Sequence, residues 1–229
     1  MTDQPYPYHD EPAIQQNCLP TYLVIDVSSS MTPHQDALNS ALRKLHHALA
    51  GSPRVSEFAH ISIIAFSTQA WVVIEMTDMD YVPQMPEVRC EGATNYGDAF
   101  RRVRERINID LPALRAQGKA VLRPAMFFLT DGVPTDRNWE KEYASLVDRT
   151  WNRRPHVITY GFGGGAERVL GRIATKAAFA AEGGTEQDEA LAAALTSMLH
   201  SLVASAGAGE MQFPVEVPGY RSIPFEYID

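Results

Sequence analysis

Two cysteines in 229 residues leave no disulfide framework to organise a fold. Cys18 and Cys90 are therefore expected as free thiols in a reducing, cytoplasmic setting, since a core of this size needs no single staple. No apolar run approaches a membrane span, and residues 1–17 lack the basic start and apolar stretch of a signal peptide. Basic charge is also in deficit. Twenty Lys and Arg against 28 Asp and Glu give a net charge of −8, which opposes binding to nucleic acid or to an anionic membrane. Neither is an expected partner. What is present is a 45% hydrophobic composition, enough for one sizeable α/β domain with some decoration.

That domain is organised around its first apolar run. Residues 22–25 follow one another without polar alternation, as in a buried strand, and end in Asp26, Ser28, Ser29 and Ser30. In an open α/β sheet ligands bind at the strands' carboxyl ends, so this polar cluster stands where a site is expected. Thr32, Pro33, His34 and Gln35 resemble a capping box with proline at the first helical position. Leu38, Ala41, Leu42, Leu45 and Leu49 then recur at three and four residues, predicting a helix stopped by Gly51, Ser52 and Pro53. His46 and His47 on that helix point about 100° apart and do not form a metal pair.

Strands are predicted over 59–66 and 70–76. The link Ser67-Thr68-Gln69 is too short for a parallel crossover, so the second should run antiparallel at the sheet edge. Residues 79–89 are irregular. Asn95 and Asp98 form a cap pair for a helix whose Tyr96, Phe100, Val103 and Ile107 share a face, which leaves Thr94 in a loop with its hydroxyl free to point elsewhere. Arg101, Arg102, Arg104 and Arg106 are the solvated face of that helix rather than a docking patch. Another apolar strand, 125–130, ends in Asp131 and Gly132, repeating the pattern of Asp26.

Further on, a helix begins near Trp139 and a strand covers 155–160. The segment Gly161-Phe162-Gly163-Gly164-Gly165 resembles a dinucleotide-binding loop only superficially, because it comes late in the chain and lacks the acidic residue about 20 positions on. A flexible loop at the sheet edge is the better account. A short helix to about 175, a short edge strand over 176–180 and an amphipathic helix through Leu191, Leu195, Met198 and Leu202 complete the domain. Residues 211–229 are too apolar for a disordered tail and too broken for a helix, so an extended segment is expected, lying on the domain or gripping a partner. The divisions are thus a flexible arm (1–18), a domain (19–205) and an extended C-terminal segment (206–229).

Parallel α/β order brings three polar loops to one edge: Asp26, Ser28 and Ser30; Thr94; and Asp131. Two carboxylates and three hydroxyls form an all-oxygen set that suits Mg2+, Mn2+ or Ca2+ and does not suit zinc. So few charges leave the cation underneutralised, and an acidic side chain from a partner becomes a natural last ligand.

These three motifs, spread over residues 19–205, resemble the metal-ion-dependent adhesion site of the von Willebrand factor type A (VWA) family. Within it, Leu129-Thr130-Asp131-Gly132 with Pro134, Thr135 and Asp136, and the later Ala178-Phe179-Ala180, are similar to bacterial TerY-like tellurium-resistance-associated proteins. The resemblance implies a three-layer, doubly wound, Rossmann-like α/β fold with a mostly parallel sheet of about six strands and one antiparallel edge strand. It further implies that Ser28 and Ser30 ligate the metal directly, that Asp26 and Asp131 act directly or through water, and that Thr94 joins when a ligand binds. One departure is Ser29, where the family often has glycine, which puts the loop's fine geometry in doubt.

The function implied is a metal-dependent protein-binding module, a cytoplasmic adaptor in a stress-response or tellurium-resistance-like system, in a group often associated with a kinase and a phosphatase. The alternative is a metal-dependent phosphatase or hydrolase with Asp26 as nucleophile. A haloacid-dehalogenase-like phosphatase needs a second acid two positions after the first, where Ser28 stands. Neither a Ser/His/Asp order nor a phosphate-cradling loop with lysine is found, so an enzyme is not expected.

Overall fold

The computed structural model describes residues 16–163 and 165–226, so the expected N-terminal arm lies outside the described residues as far as position 15. β1 (Asn17–Asp26) is buried over all but its first residue, as its unbroken apolar run requires. A 3-10 turn leads into α1 (Gln35–Ala50). Thr32 and Gln35 do not form the expected capping box. Both side chains bind the backbone of Cys90 instead, with the Thr32 hydroxyl donating to its carbonyl (3.1 Å) and the Gln35 side-chain oxygen accepting from its amide (2.8 Å).

Pro53 does not only stop α1. It opens a short second helix, α2 (Pro53–Phe58), because its missing N–H costs nothing at a helix start. β2 (Ala59–Phe66) and β3 (Ala70–Thr77) form the expected antiparallel edge hairpin. α3 (Tyr96–Ala116) is capped by the Asn95 side chain, which accepts from the Asp98 amide. Next come β4 (Ala120–Val121), β5 (Ala125–Thr130), α4 (Trp139–Leu146), β6 (His156–Gly161), α5 (Glu167–Ile173), β7 (Ala177–Ala181), α6 (Gln187–Ala208) and β8 (Tyr220–Ser222).

The strand order is β3-β2-β1-β5-β6-β7-β8, with β4 paired to the start of β1. β1, β2, β5, β6 and β7 run parallel, and β3 and β8 are antiparallel to their neighbours. The doubly wound α/β architecture is therefore as expected, with two more strands and a second antiparallel edge. β8 comes from the C-terminal segment, so β7 is not the edge strand it resembled. That segment lies on the domain: the Tyr220 hydroxyl donates to the Ala190 carbonyl (2.8 Å), and the Glu226 amide to that of Gly171 (3.1 Å).

Alternate residues of β1 feed two cores. Leu23 and Ile25 pack with α1 and α6 on one face, and Tyr22 and Val24 pack with α3, α4 and α5 on the other. α6 departs from expectation in one respect, being long and apolar enough by length and composition to cross a membrane. More than half of that stretch is buried inside the fold, where it packs against α1. β1 has β2 on one side and β5 on the other, so the crevice between the ends of β1 and β5 is the topological switch point of the sheet.

Candidate metal centre

Asp26 ends β1 at that switch point and is fully buried. Both of its carboxylate oxygens accept hydrogen bonds, Oδ1 from the Ser28 amide (2.9 Å) and Oδ2 from the Thr130 hydroxyl (2.6 Å). The Ser28 and Ser30 hydroxyls are 3.1 Å apart, and that of Ser30 donates to Asp131 Oδ1 at 2.8 Å. Two loops 101 residues apart in sequence thus meet in one oxygen cluster.

The first loop is held from outside by residues 90–92. The Ser29 amide donates to the Gly92 carbonyl (3.0 Å), and the Glu91 amide to that of Val27 (2.8 Å). Ser29 stands where glycine was expected, yet among the described residues no side-chain-bearing position has a positive φ. The loop therefore makes no demand there that only glycine can meet.

Thr94 is buried in the adjoining loop and is not hydrogen-bonded to the cluster. Its backbone is tied to Thr135 instead, with its carbonyl accepting from the Thr135 amide (2.8 Å). The structure therefore joins Asp26, Ser28, Ser30 and Asp131 directly, with Thr94 in the next loop.

Several supporting residues escaped the sequence reading. Thr130 reads as the end of an apolar strand, and Tyr96 as one member of an apolar helical face. In the fold the Tyr96 hydroxyl donates to the Gly132 carbonyl (2.8 Å) and lies 3.1 Å from the Thr130 hydroxyl. Its ring is fixed by edge contacts with Phe66, Phe100, Phe128 and Trp139. The glycine loop after β6 is neither a nucleotide cradle nor an edge loop. The Phe162 amide donates to the Thr130 carbonyl (3.2 Å), and a Cβ at Gly163 would come within 2.0 Å of the Asp131 carbonyl oxygen. Gly163 is what allows this loop to close on the backbone of Asp131. The only signal in the sequence was the glycine run itself.

Burial dominates the electrostatics. It raises the Asp26 carboxyl to about 6, against the hydrogen bonds from Ser28 and Thr130 that favour the charged form. Burial likewise raises Asp131, with the Ser30 hydrogen bond opposing. The two carboxylates also push up the neighbouring Cys90 thiol, which burial first and then their charges bring to about 11. Cys18 is raised to about 11, mainly by burial. Both thiols are free, buried and unreactive at neutral pH. Among the described residues neither Asp26 nor Asp131 has an ion-pair partner.

The donor set fits a hard cation. In an octahedral shell with metal–oxygen distances of about 2.1 Å, adjacent ligand oxygens lie about 3.0 Å apart. The Ser28–Ser30 and Ser30–Asp131 separations, 3.1 and 2.8 Å, match that edge. Among the described residues no three His, Cys, Asp or Glu side chains converge, so hydroxyl, carbonyl or water oxygens must supply part of any shell.

Residues 21–133 match the family model for the von Willebrand factor type A domain. No curated protein matches the sequence. Among solved structures, proximal thread matrix protein 1 from the mussel byssus aligns over 82% of this chain and 49% of its own, at 18% identity and a TM-score of 0.60. That protein has also been solved with its MIDAS motif occupied by zinc (18% identity, 82% of this chain and 48% of its own, TM-score 0.59). The ArnB paralog VWA2 from Sulfolobus acidocaldarius aligns over 82% of this chain and 46% of its own (18% identity, TM-score 0.53). The chain spans about half the length of these proteins, and at such identities the likeness is one of fold.

Proposed function

We propose, from the premise that this chain carries a von Willebrand factor type A domain, that it is a cation-dependent protein-binding module in which Asp26, Ser28, Ser30 and Asp131 hold a divalent ion. Thr94 joins them when a partner's acidic side chain completes the shell. The observation that carries this reading is the Ser28–Ser30–Asp131 oxygen chain, spaced as the edge of a coordination polyhedron beside a buried carboxylate that has no ion-pair partner among the described residues. When bound, the ion would be formally balanced by the two carboxylates, and its incomplete coordination shell is what would draw in a further oxygen ligand such as a partner's carboxylate. Mg2+ is the first candidate and Mn2+ or Ca2+ the next. The zinc-occupied motif of the mussel protein argues against excluding zinc by donor type, because zinc accepts carboxylate oxygen and has no ligand-field preference of its own.

A role for Asp26 as a nucleophile finds no support. It is fully buried, so a phosphate ester has no open approach to its oxygens, each of which accepts one hydrogen bond and keeps a lone pair for an ion. At a finer level, the motif from Leu129 to Asp136 supports a TerY-like assignment: a cytoplasmic adaptor in a stress-response or tellurium-resistance-like system, working beside a kinase or a phosphatase.

Calorimetric titration with Mg2+, Mn2+ and Zn2+ tests the site. Binding should be seen and should vanish in Asp26→Ala, and unchanged affinity in that variant overturns the assignment. Affinity capture from a source lysate, with and without chelator, tests the role. A retained protein lost on chelation supports a binding module, whereas release of phosphate from simple esters, abolished by Asp26→Asn, would support an enzyme.

A further inference from the structure

The loop after β5 does more than deliver Asp131. Four and five residues on, Thr135 and Asp136 reach back to the segment that carries Thr94. The Thr135 amide donates to the Thr94 carbonyl (2.8 Å), its hydroxyl donates to the same carbonyl (3.1 Å), and that hydroxyl accepts from the Thr94 amide (3.2 Å). The Asp136 carboxylate accepts from the amides of Tyr96 (3.0 Å, Oδ1) and Gly97 (3.2 Å, Oδ2).

The first amides of a helix have no partner within it, and a negative charge there is favoured by the helix dipole. Asn95 satisfies the Asp98 amide, and Asp136 supplies acceptors for the two before it. This approach requires a glycine. A Cβ at Gly97 would lie 2.7 Å from Asp136 Oδ2 and 3.3 Å from the Trp139 Cα. From the inner side, the Tyr96 hydroxyl grips Gly132 and adjoins the Thr130 hydroxyl that binds Asp26. The start of α3 is thus held on two sides by residues 130–136.

Resting on the cation-site reading above, we infer that Thr135 and Asp136 are positioning residues of that site, clasping the Thr94 loop to the Asp131 loop so that the two ligands reach the ion as one unit. A turn that only joined β5 to α4 would have no use for side chains that satisfy the backbone about 40 residues earlier. Thr135 acts through Thr94, and Asp136 through the first turn of α3.

The test is a Mn2+ titration of the full chain in saturating acetate, whose carboxylate stands in for the partner's acidic side chain and brings Thr94 to the ion, followed by calorimetry and by water-proton relaxation, which counts exchangeable waters on the bound ion. Thr135→Val should weaken Mn2+ binding about tenfold, the scale seen when groups that orient metal ligands are removed, and should raise the number of bound waters. Thr135→Ser, which keeps the hydroxyl, should restore affinity to within about twofold. The double variant Thr94→Ala/Thr135→Val should bind no more weakly than Thr94→Ala alone, since coupled residues are not additive. Wild-type affinity in Thr135→Val, or a loss that adds in full to that of Thr94→Ala, overturns the inference. Thermal melts identify any variant that fails to fold. If Thr135→Val does so, Asp136→Asn takes its place, with a weaker affinity and a raised water count expected and wild-type values of both overturning the inference. Asp26→Ala separates the two claims: if it still binds Mn2+, the cation site itself is refuted, and if only it loses binding, the clasp alone is.

Discussion

Burial and charge conflict at Asp26. Its carboxyl titrates near 6 in the fold, against about 4 in an unfolded chain. Below pH 4 both states are protonated and the group contributes nothing. Between pH 4 and 6 the unfolded chain ionises first, and above pH 6 the fold carries the full penalty, on the order of 2–3 kcal/mol. In chelator, therefore, the wild type should lose stability relative to Asp26→Asn as the pH rises from 4 to 6, and the variant should be the more stable at pH 7.5. Denaturant melts across that range check this, and parallel curves for the two proteins would contradict it. A bound cation reverses the sign, because it stabilises the ionised form. Ser29 carries a second lesson at this scale. The sequence has serine where the family often has glycine, and among the described residues no side-chain-bearing position, Ser29 included, is left-handed.

At the level of elements, the runs that were legible are those whose signal lies in adjacent residues. β2 and β5 match their predicted bounds because β5 is an unbroken apolar run ended by Thr130, and β2 is a mainly apolar, isoleucine-rich run, interrupted at His60 and Ser62 and followed by the polar Ser67. α2, β4 and β8 were not legible. Each is short and unremarkable in composition, and the two strands exist because a neighbour supplies their partners, β1 for β4 and β7 for β8. The glycine loop after β6 belongs with them, since its role appears only where Gly163 meets Asp131. Gly163→Ala should therefore displace the Asp131 backbone, weakening Mg2+ binding by roughly tenfold or more and lowering the melting temperature. Gly165→Ala should leave both unchanged, because its added Cβ would meet nothing closer than Val133 at 3.8 Å. Equal effects in the two variants, read by calorimetry and thermal melts, would remove the special role of Gly163.

For the whole molecule, the cation is expected to act as a brace across the switch point of the sheet. Binding to the folded state alone stabilises it by about 2.7 kcal/mol at a concentration one hundred times the dissociation constant. In a domain of this size that is a rise of roughly 5–10 °C in melting temperature, reversed by chelator and absent in Asp26→Ala, and calorimetric melts with and without Mg2+ read it directly. The sequence by itself determined the α/β class, the central strand, the hairpin at one edge and the polar residues at the strand ends that the proposed site uses, because runs, periodicity and short links are properties of neighbouring residues. Only the tertiary structure decided that Ser30 meets Asp131, that Thr135 holds Thr94 and Asp136 the first turn of α3, and that the C-terminal segment closes the second edge of the sheet. Those contacts join positions some 40 to 100 residues apart, and no local preference encodes them. They follow from the order in which buried strands pair.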